Sequence, residues 1–193
     1  MTELRLFGAR GGPIAAPMNT RFRCFLTFAL LLALPAAAET KKTVAPAHPA
    51  AAAGPKKIGE FGDWTAATHA ESGQTVCYAF TRAQSSAPTL PGRGAVVLTV
   101  TERSSGRDAV AIEAGFSYAA NASVTVQIDQ AGLEFYTSGR NAFARDGKAA
   151  VTAFGKGSRA IARSPGAKEV TDTFSLKGFD KAYAAIVKAC PAK

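Results

Sequence analysis

Short runs of alternating apolar and polar residues fill the chain from Phe61 to Phe135, and turns rich in Gly, Ser, Pro and Asp separate them. Side chains two positions apart lie on the same face of a β-strand, so this alternation predicts antiparallel strands with one buried face. The first strand is predicted to open at Phe61–Trp64. The next five are predicted at Gln74–Thr81, Ala95–Glu102, Ala109–Phe116, Ser123–Asp129 and Leu133–Thr137.

The spacing of apolar residues changes in the last third of the chain. Asp146–Phe154 predicts a short helix capped by Asp146, because an aspartate side chain can accept from the free N–H groups at a helix start. Two more strands are predicted at Ser158–Arg163 and Val170–Leu176. Apolar residues three and four apart predict an amphipathic helix over Phe179–Ala189. The expected fold is mainly β, an antiparallel β-sandwich or open barrel with a short helix and a packed C-terminal helix.

Residues 18–38 have the three parts of a secretory signal peptide. Arg21 and Arg23 supply positive charge, Cys24–Leu34 is apolar, and Ala36–Ala38 forms a small-residue cleavage site. The apolar part is much shorter than the roughly 20 residues that a membrane-spanning helix needs. We therefore expect a cleaved signal, no transmembrane anchor after its removal, and a mature protein that is periplasmic or secreted.

The chain divides into four segments on this interpretation. Residues 1–17 show no periodicity and are interpreted as an upstream extension from an early start codon, ahead of the signal peptide at 18–38. Residues 39–57 form an Ala/Pro/Lys-rich linker without the branched and aromatic residues that build a core. Residues 58–193 form a single domain, which is long enough to bury a core of its own.

Cys77 and Cys190 are the cysteines that remain after cleavage. An even pair in an oxidising compartment predicts a disulfide between them. The bond would close a loop of roughly 110 residues, which the chain-entropy account values at roughly 4 to 5 kcal/mol. It would also tie the end of the C-terminal helix to an early strand. The wide separation does not match zinc-ligand spacing, so no metal site is expected.

The chain is basic, with a formal net charge of +9, and it stays moderately basic without residues 1–38. This charge favours an anionic envelope component or an acidic protein as partner, although an incidental bias of a solvated surface explains it equally well. Nucleic acid is not expected, because the predicted location is outside the cytoplasm and no known binding module is present. A candidate patch for the partner consists of Arg140, Arg145, Lys148, Lys156, Arg159, Arg163 and Lys168.

Four segments together resemble one family of secreted bacterial proteins, the invasion-associated locus B family. They are FGDW at 61–64, VCYAF at 76–80, TDTFSLKGF at 171–179 and AYAAIVKAC at 182–190. Their order and spacing carry the resemblance, which covers nearly the whole predicted domain. It implies a periplasmic or envelope-associated β-rich domain, in a family named for a role in host-cell entry, with no known catalytic chemistry. It assigns no active site.

Six carboxylates are candidates for acid–base chemistry, namely Glu102, Asp108, Glu113, Asp129, Glu134 and Asp146. Most fall at outward strand positions or in turns, where a solvated surface is the simpler explanation, so we expect no enzyme activity and no cofactor. Tyr78 and Tyr136 are candidates for an adhesive surface. The expected function is an exported, non-enzymatic binding module. The alternatives are a periplasmic structural or stress-related factor and a periplasmic enzyme with an unrecognised site.

Overall fold

The computed structural model describes residues 54–166 and 168–192. The predicted upstream extension, the signal peptide and most of the predicted linker lie outside these residues. In chain order the elements are β1 (Lys56–Phe61), β2 (Trp64–Glu71), β3 (Gln74–Arg82), β4 (Ser85–Ala87), β5 (Val97–Arg103), β6 (Gly106–Glu113), β7 (Ser123–Ile128), β8 (Ala131–Ser138), β9 (Asn141–Ala144), α1 (Gly147–Lys156), β10 (Arg159–Ser164), β11 (Val170–Ser175) and α2 (Phe179–Ala189).

The strands form one antiparallel sheet in the order β1-β2-β3-β5-β6-β9-β8-β7-β10-β11-β4. β3 lies near one edge and β4 at the other, yet they are almost continuous in sequence, so the sheet must curl to bring its ends together. The Gln84 N–H, between these two strands, donates to the Thr173 carbonyl at 2.8 Å. The architecture is a curled sheet of the open-barrel type, and the predicted mainly β, antiparallel fold is confirmed.

Aromatic side chains join the two helices to the inner face of the sheet. The Trp64 and Phe179 ring centroids lie 4.9 Å apart, and those of Phe154 and Phe179 lie 5.4 Å apart. All three side chains are buried, and the Trp64 indole N–H donates to the Ser175 carbonyl at 3.0 Å. Ile186 adds a second buried turn of α2. Burial of this apolar face, rather than helix propensity, holds α2 in place.

Both predicted helices and the predicted disulfide are confirmed. Asp146 caps α1, since its Oδ1 accepts from the Ala149 N–H at 2.9 Å. The C-terminal helix spans the predicted Phe179–Ala189. Cys77 and Cys190, 113 positions apart, are bonded, so the residue that caps α2 is tied to β3.

The predicted opening of the first strand spans a turn. Phe61 ends β1, Gly62 and Asp63 form the turn, and Trp64 begins β2, so the strand starts at the last residue of the predicted opening. Gly62 has a φ of 60° in this turn, and a β-carbon there would lie 2.7 Å from the Lys177 carbonyl oxygen, so glycine is required.

Three described strands have no counterpart in the prediction. β1 and β4 are edge strands with largely exposed side chains, and β9 has four residues. Alternation gives a strong signal only where several residues of one face are buried, and none of these strands meets that condition. β1 begins at Lys56, two positions before the predicted start of the domain.

Candidate functional site

Two of the seven predicted basic residues share one hollow. Lys148 and Lys156 lie on α1 and line a cavity of about 470 Å³ together with Asp146, Thr152 and three alanines. Residues four apart on a helix lie on the same face, which brings Lys148, Thr152 and Lys156 into one row. The hollow is therefore lined by the ammonium groups of the two lysines and by the methyl groups of the three alanines.

The other predicted basic residues are distributed over the sheet and its turns. Arg159 and Arg163 face outward from β10, because the alternate residues Ala160 and Ala162 are buried. The Arg163 Nε lies 3.8 Å from a Glu169 carboxylate oxygen. The remaining three lie beside strand ends: Arg140 between β8 and β9, Arg145 after β9, and Lys168 between β10 and β11.

Two of the six candidate carboxylates come together at the turn between β5 and β6. The Asp108 backbone N–H donates to Glu102 Oε1 at 3.2 Å. The Arg107 Nε lies 2.6 Å from Glu102 Oε2 and forms an ion pair with it, but the angle does not make this contact a hydrogen bond. The Tyr183 hydroxyl donates to Asp108 Oδ1 at 2.5 Å. Arg107 also donates to the Cys190 carbonyl. This acidic cluster therefore joins the β5–β6 turn to the end of α2.

Glu102 contradicts the expectation of an outward carboxylate, because it is fully buried. It follows Val96, Leu98 and Val100 at intervals of two, so the alternation itself places it on the inward face. Burial raises the pKa of the Glu102 carboxyl to about 7, against the opposing effects of the Asp108 N–H and the Arg107 charge. Burial and the Asp108 carboxylate also raise the pKa of the Tyr183 hydroxyl.

The other four candidate carboxylates have ordinary positions. Glu113, Asp129 and Glu134 are exposed, as expected. Asp146 is exposed as well and serves as the cap of α1.

Sequence reasoning missed a second buried ion pair, between Arg93 and Asp172. The guanidinium donates to both carboxylate oxygens, at 2.8 and 2.7 Å, and its Nε donates to the Ala114 carbonyl at 2.7 Å. The Ser86 hydroxyl donates to Asp172 at 2.6 Å. The guanidinium also lies 5.0 Å from the Phe116 ring centre. The pair holds the long loop that precedes β5 against β11 and β4. Nothing local in the sequence links residues so far apart.

Aromatic side chains flank a strip of small side chains on the outward face of the sheet. The register pairs Phe80 with Thr99, Thr99 with Ala111, Ala111 with Phe143 and Phe143 with Tyr136. Tyr78 and Thr101 form the neighbouring pair on β3 and β5. We call this surface the outer trough; its residues are Tyr78, Phe80, Thr99, Thr101, Ala109, Ala111, Tyr136 and Phe143.

The two sides of the outer trough are stacked aromatic pairs. Tyr136 and Phe143 have ring centroids 5.5 Å apart, and Tyr136 is 45% exposed. On the opposite side the Tyr78 and Phe80 centroids lie 6.0 Å apart, and the His69 ring lies 5.3 Å from Tyr78. The two tyrosines proposed as adhesive are therefore on opposite sides of one surface.

A cavity of about 540 Å³ lies at the β3 side of the outer trough. Tyr78, Thr99 and Thr101 line it, together with His69 and Arg103. On the other side, the Arg145 guanidinium lies 5.9 Å from the Tyr136 ring centre. The surface combines aromatic faces, threonine hydroxyls and guanidinium groups, and these can stack, hydrogen-bond and pair with anions.

A sequence model of the family described as "Invasion associated locus B (IalB) protein" matches residues 64–187, more than half of the chain. The chain belongs to the IalB family. The crystal structure of invasion associated protein B from Bartonella henselae is similar, with a TM-score of 0.52 and 18% identity, over 68% of this chain and 95% of that chain. No curated protein matches the chain.

The IalB match confirms the resemblance seen in the four sequence segments. It runs from the start of β2 into α2 and includes both sides of the outer trough. Because the two proteins are 18% identical, their similarity supports the fold of this IalB-family chain and no statement about its role. Neither helix in the described part of the chain has the length and apolar character needed to cross a membrane.

Proposed function

We propose that this IalB-family chain is an exported, non-enzymatic binding protein of the bacterial envelope, which holds its partner on the outer trough. The observation that carries the proposal is the strand register, which sets aromatic rings on both sides of a threonine and alanine floor. Half-exposed aromatic surface is released from water when a partner covers it, and this release favours association.

Export to the periplasm or the medium is supported by two independent features. The Cys77–Cys190 bond belongs to an oxidising compartment, because cytosolic reductants keep thiols reduced. The sequence at 18–38 has the charge, length and cleavage-site pattern of a signal peptide. The partner would therefore be an envelope component or an extracellular molecule.

A non-enzymatic role is supported by how the fold uses its buried carboxylates. Glu102 pairs with Arg107, and Asp172 pairs with Arg93. A general acid or base has to come within hydrogen-bond reach of the proton it transfers. Glu102 and Asp172 are both shielded from solvent and paired with arginines, which leaves neither of them facing a substrate, so their contacts serve the fold.

The proposal is tested by binding of the full chain to isolated cell envelopes, measured by cosedimentation over a concentration series. We expect the double variant Tyr136→Ser, Phe143→Ser to bind about tenfold more weakly, because aromatic side chains dominate the energetics of binding surfaces. Thermal unfolding of the variant checks that it remains folded.

The matched control is Lys148→Gln with Lys156→Gln, which removes two charges from the hollow beside α1. This variant should bind like the parent chain. Loss of binding in the lysine variant with full binding in the aromatic variant would overturn the placement of the site. Absence of envelope binding by the parent chain would overturn the proposed function itself.

A further inference from the structure

Three arginine side chains border the outer trough. Arg82 follows Phe80 by two positions on the outward face of β3, and Arg103 follows Thr101 by two positions on β5 and lines the adjoining cavity. Arg145 lies over the Tyr136 ring at the far side. Arg82 and Arg103 therefore lie at the two ends of the β3–β5 side of the outer trough, and Arg145 lies on the opposite side.

These guanidinium groups are available to an added anion. Within the described part of the chain, Arg82 has no carboxylate within 4.0 Å. Arg103 lies 2.8 Å from Glu71 and Arg145 lies 3.6 Å from Glu134, and in both pairs the side chains are at least 40% exposed. Exposed ion pairs contribute little free energy, so a ligand carboxylate can replace them at low cost.

The dimensions of the outer trough suit an extended chain lying along the strands. Three strand steps separate the β3 side from the β9 side, which at the usual strand spacing is about 14 Å. The floor between them carries the methyl and hydroxyl groups of Thr99, Thr101, Ala109 and Ala111, and the exposed Glu113 bounds it at the end where Arg82 lies. A chain of sugar rings can lie on this floor and touch aromatic faces on either side.

We infer that the outer trough binds an extended acidic polysaccharide. Its sugar rings present C–H groups to the faces of Tyr78, Tyr136 and Phe143, whose π-clouds are the negative part of the ring quadrupole. Its hydroxyls exchange hydrogen bonds with Thr99 and Thr101. Its carboxylates pair with the bordering arginines, whose planar fork matches a carboxylate. This inference rests on the proposed function and names the class of its partner.

A lipid surface fits the same face less well. Among the described residues, Ile58 and Tyr136 are the exposed large hydrophobic side chains, and shallow insertion into a bilayer needs a broader apolar face. Aromatic faces beside hydroxyls and guanidinium groups favour a carbohydrate that carries negative charge.

The test is a calorimetric titration of the full chain with polygalacturonate, a polysaccharide in which every sugar carries a carboxylate. The comparison probes are methyl-esterified polygalacturonate, poly-glutamate and vesicles of anionic phospholipid. We expect polygalacturonate to bind, and esterification to weaken binding at least tenfold, to about the level that the rings and hydroxyls alone provide. Poly-glutamate and the vesicles should bind at least about tenfold more weakly than polygalacturonate.

Variants assign the binding to the outer trough. Tyr136→Ser with Phe143→Ser should weaken polygalacturonate binding about tenfold, and Arg82→Gln should weaken it severalfold and reduce its dependence on salt. Arg82 is exposed, so this variant is expected to keep the fold intact. Lys148→Gln with Lys156→Gln is the charge-matched control and should bind normally.

The outcomes separate this inference from the proposed function. Equal binding of poly-glutamate would overturn the polysaccharide in favour of an acidic protein, and stronger binding of the vesicles would overturn it in favour of a membrane. Envelope binding that depends on Tyr136 and Phe143, without any affinity for polygalacturonate, would overturn the ligand class while leaving the proposed function intact. Loss of envelope binding as well would overturn both.

Discussion

At the scale of single residues, the least expected feature is the buried Glu102. Its inward position follows from counting along β5 in steps of two from Val96, yet its residue type alone argues for the surface. The arginine that neutralises it, Arg107, lies across the β5–β6 turn. Residue type and position in the alternation disagree at Glu102, and position decides.

Glu102 gives the protein a pH-dependent stability. Its pKa of about 7 in the folded protein lies above the ordinary 4.5, so the folded state binds the proton more tightly than the unfolded state does. This contribution is complete below pH about 4.5 and is lost as the pH rises through about 7, by up to about 3 kcal/mol. We expect Glu102→Gln to flatten the fall in the free energy of unfolding between pH 5 and pH 8, measured with urea.

Glu113→Gln, an equivalent change at an exposed carboxylate on the neighbouring strand, is the control and should leave the pH profile unchanged. A Glu102→Gln profile as steep as that of the parent chain would show that Glu102 is not the group responsible.

Asp172 is expected to be among the residues most sensitive to substitution. Asp172→Ala leaves Arg93 buried without its counter-ion, which should lower the free energy of unfolding by about 3 to 5 kcal/mol. Replacing both partners, Arg93→Met with Asp172→Leu, should be less harmful than the single change, because no buried charge remains. Urea unfolding measures both variants. A double variant less stable than Asp172→Ala would contradict this explanation.

At the scale of elements, the sequence predicted those with a local signal. α1 has Asp146 as its cap, and α2 has its apolar period, so both helices follow from neighbouring residues. β1 and β4 lack a buried face, and β9 is too short to show alternation. β4 also pairs with the distant β11, whereas β1 and β9 form tight turns with β2 and β8 and were missed because of their exposure and short length.

The disulfide is the main covalent restraint on α2. Cys77→Ala with Cys190→Ala should lower the free energy of unfolding of the oxidised protein by roughly 4 to 5 kcal/mol, because the bond closes a long loop in the unfolded chain. The parent chain unfolded in the presence of reductant should have the same free energy of unfolding as the variant. Binding to envelopes should persist under conditions in which the variant is folded, since Cys77 is buried on the inward face of β3 and the outer trough lies on the outward face. Loss of binding at unchanged stability would contradict the purely structural role.

At the scale of the whole molecule, strand order builds the candidate site. Phe80 and Phe143 belong to distant parts of the sequence and meet in one cross-strand row only because β6 pairs with β9. Alternation predicted the β class and which residues share a strand face, but it contains no information on which strands become neighbours. The outer trough therefore could not be predicted, although both of its tyrosines were singled out.

The central claim is that this IalB-family chain works outside the cytoplasm as an internally bridged domain, and intact-mass analysis of the native protein tests it most directly. Protein recovered from envelope and medium would be denatured and treated with an alkylating reagent without reductant. The account predicts a chain that begins at Glu39, with neither Cys77 nor Cys190 alkylated. A chain that retains residues 18–38 and is alkylated at both Cys77 and Cys190 would contradict both export and the disulfide, and with them the proposed partner in the envelope.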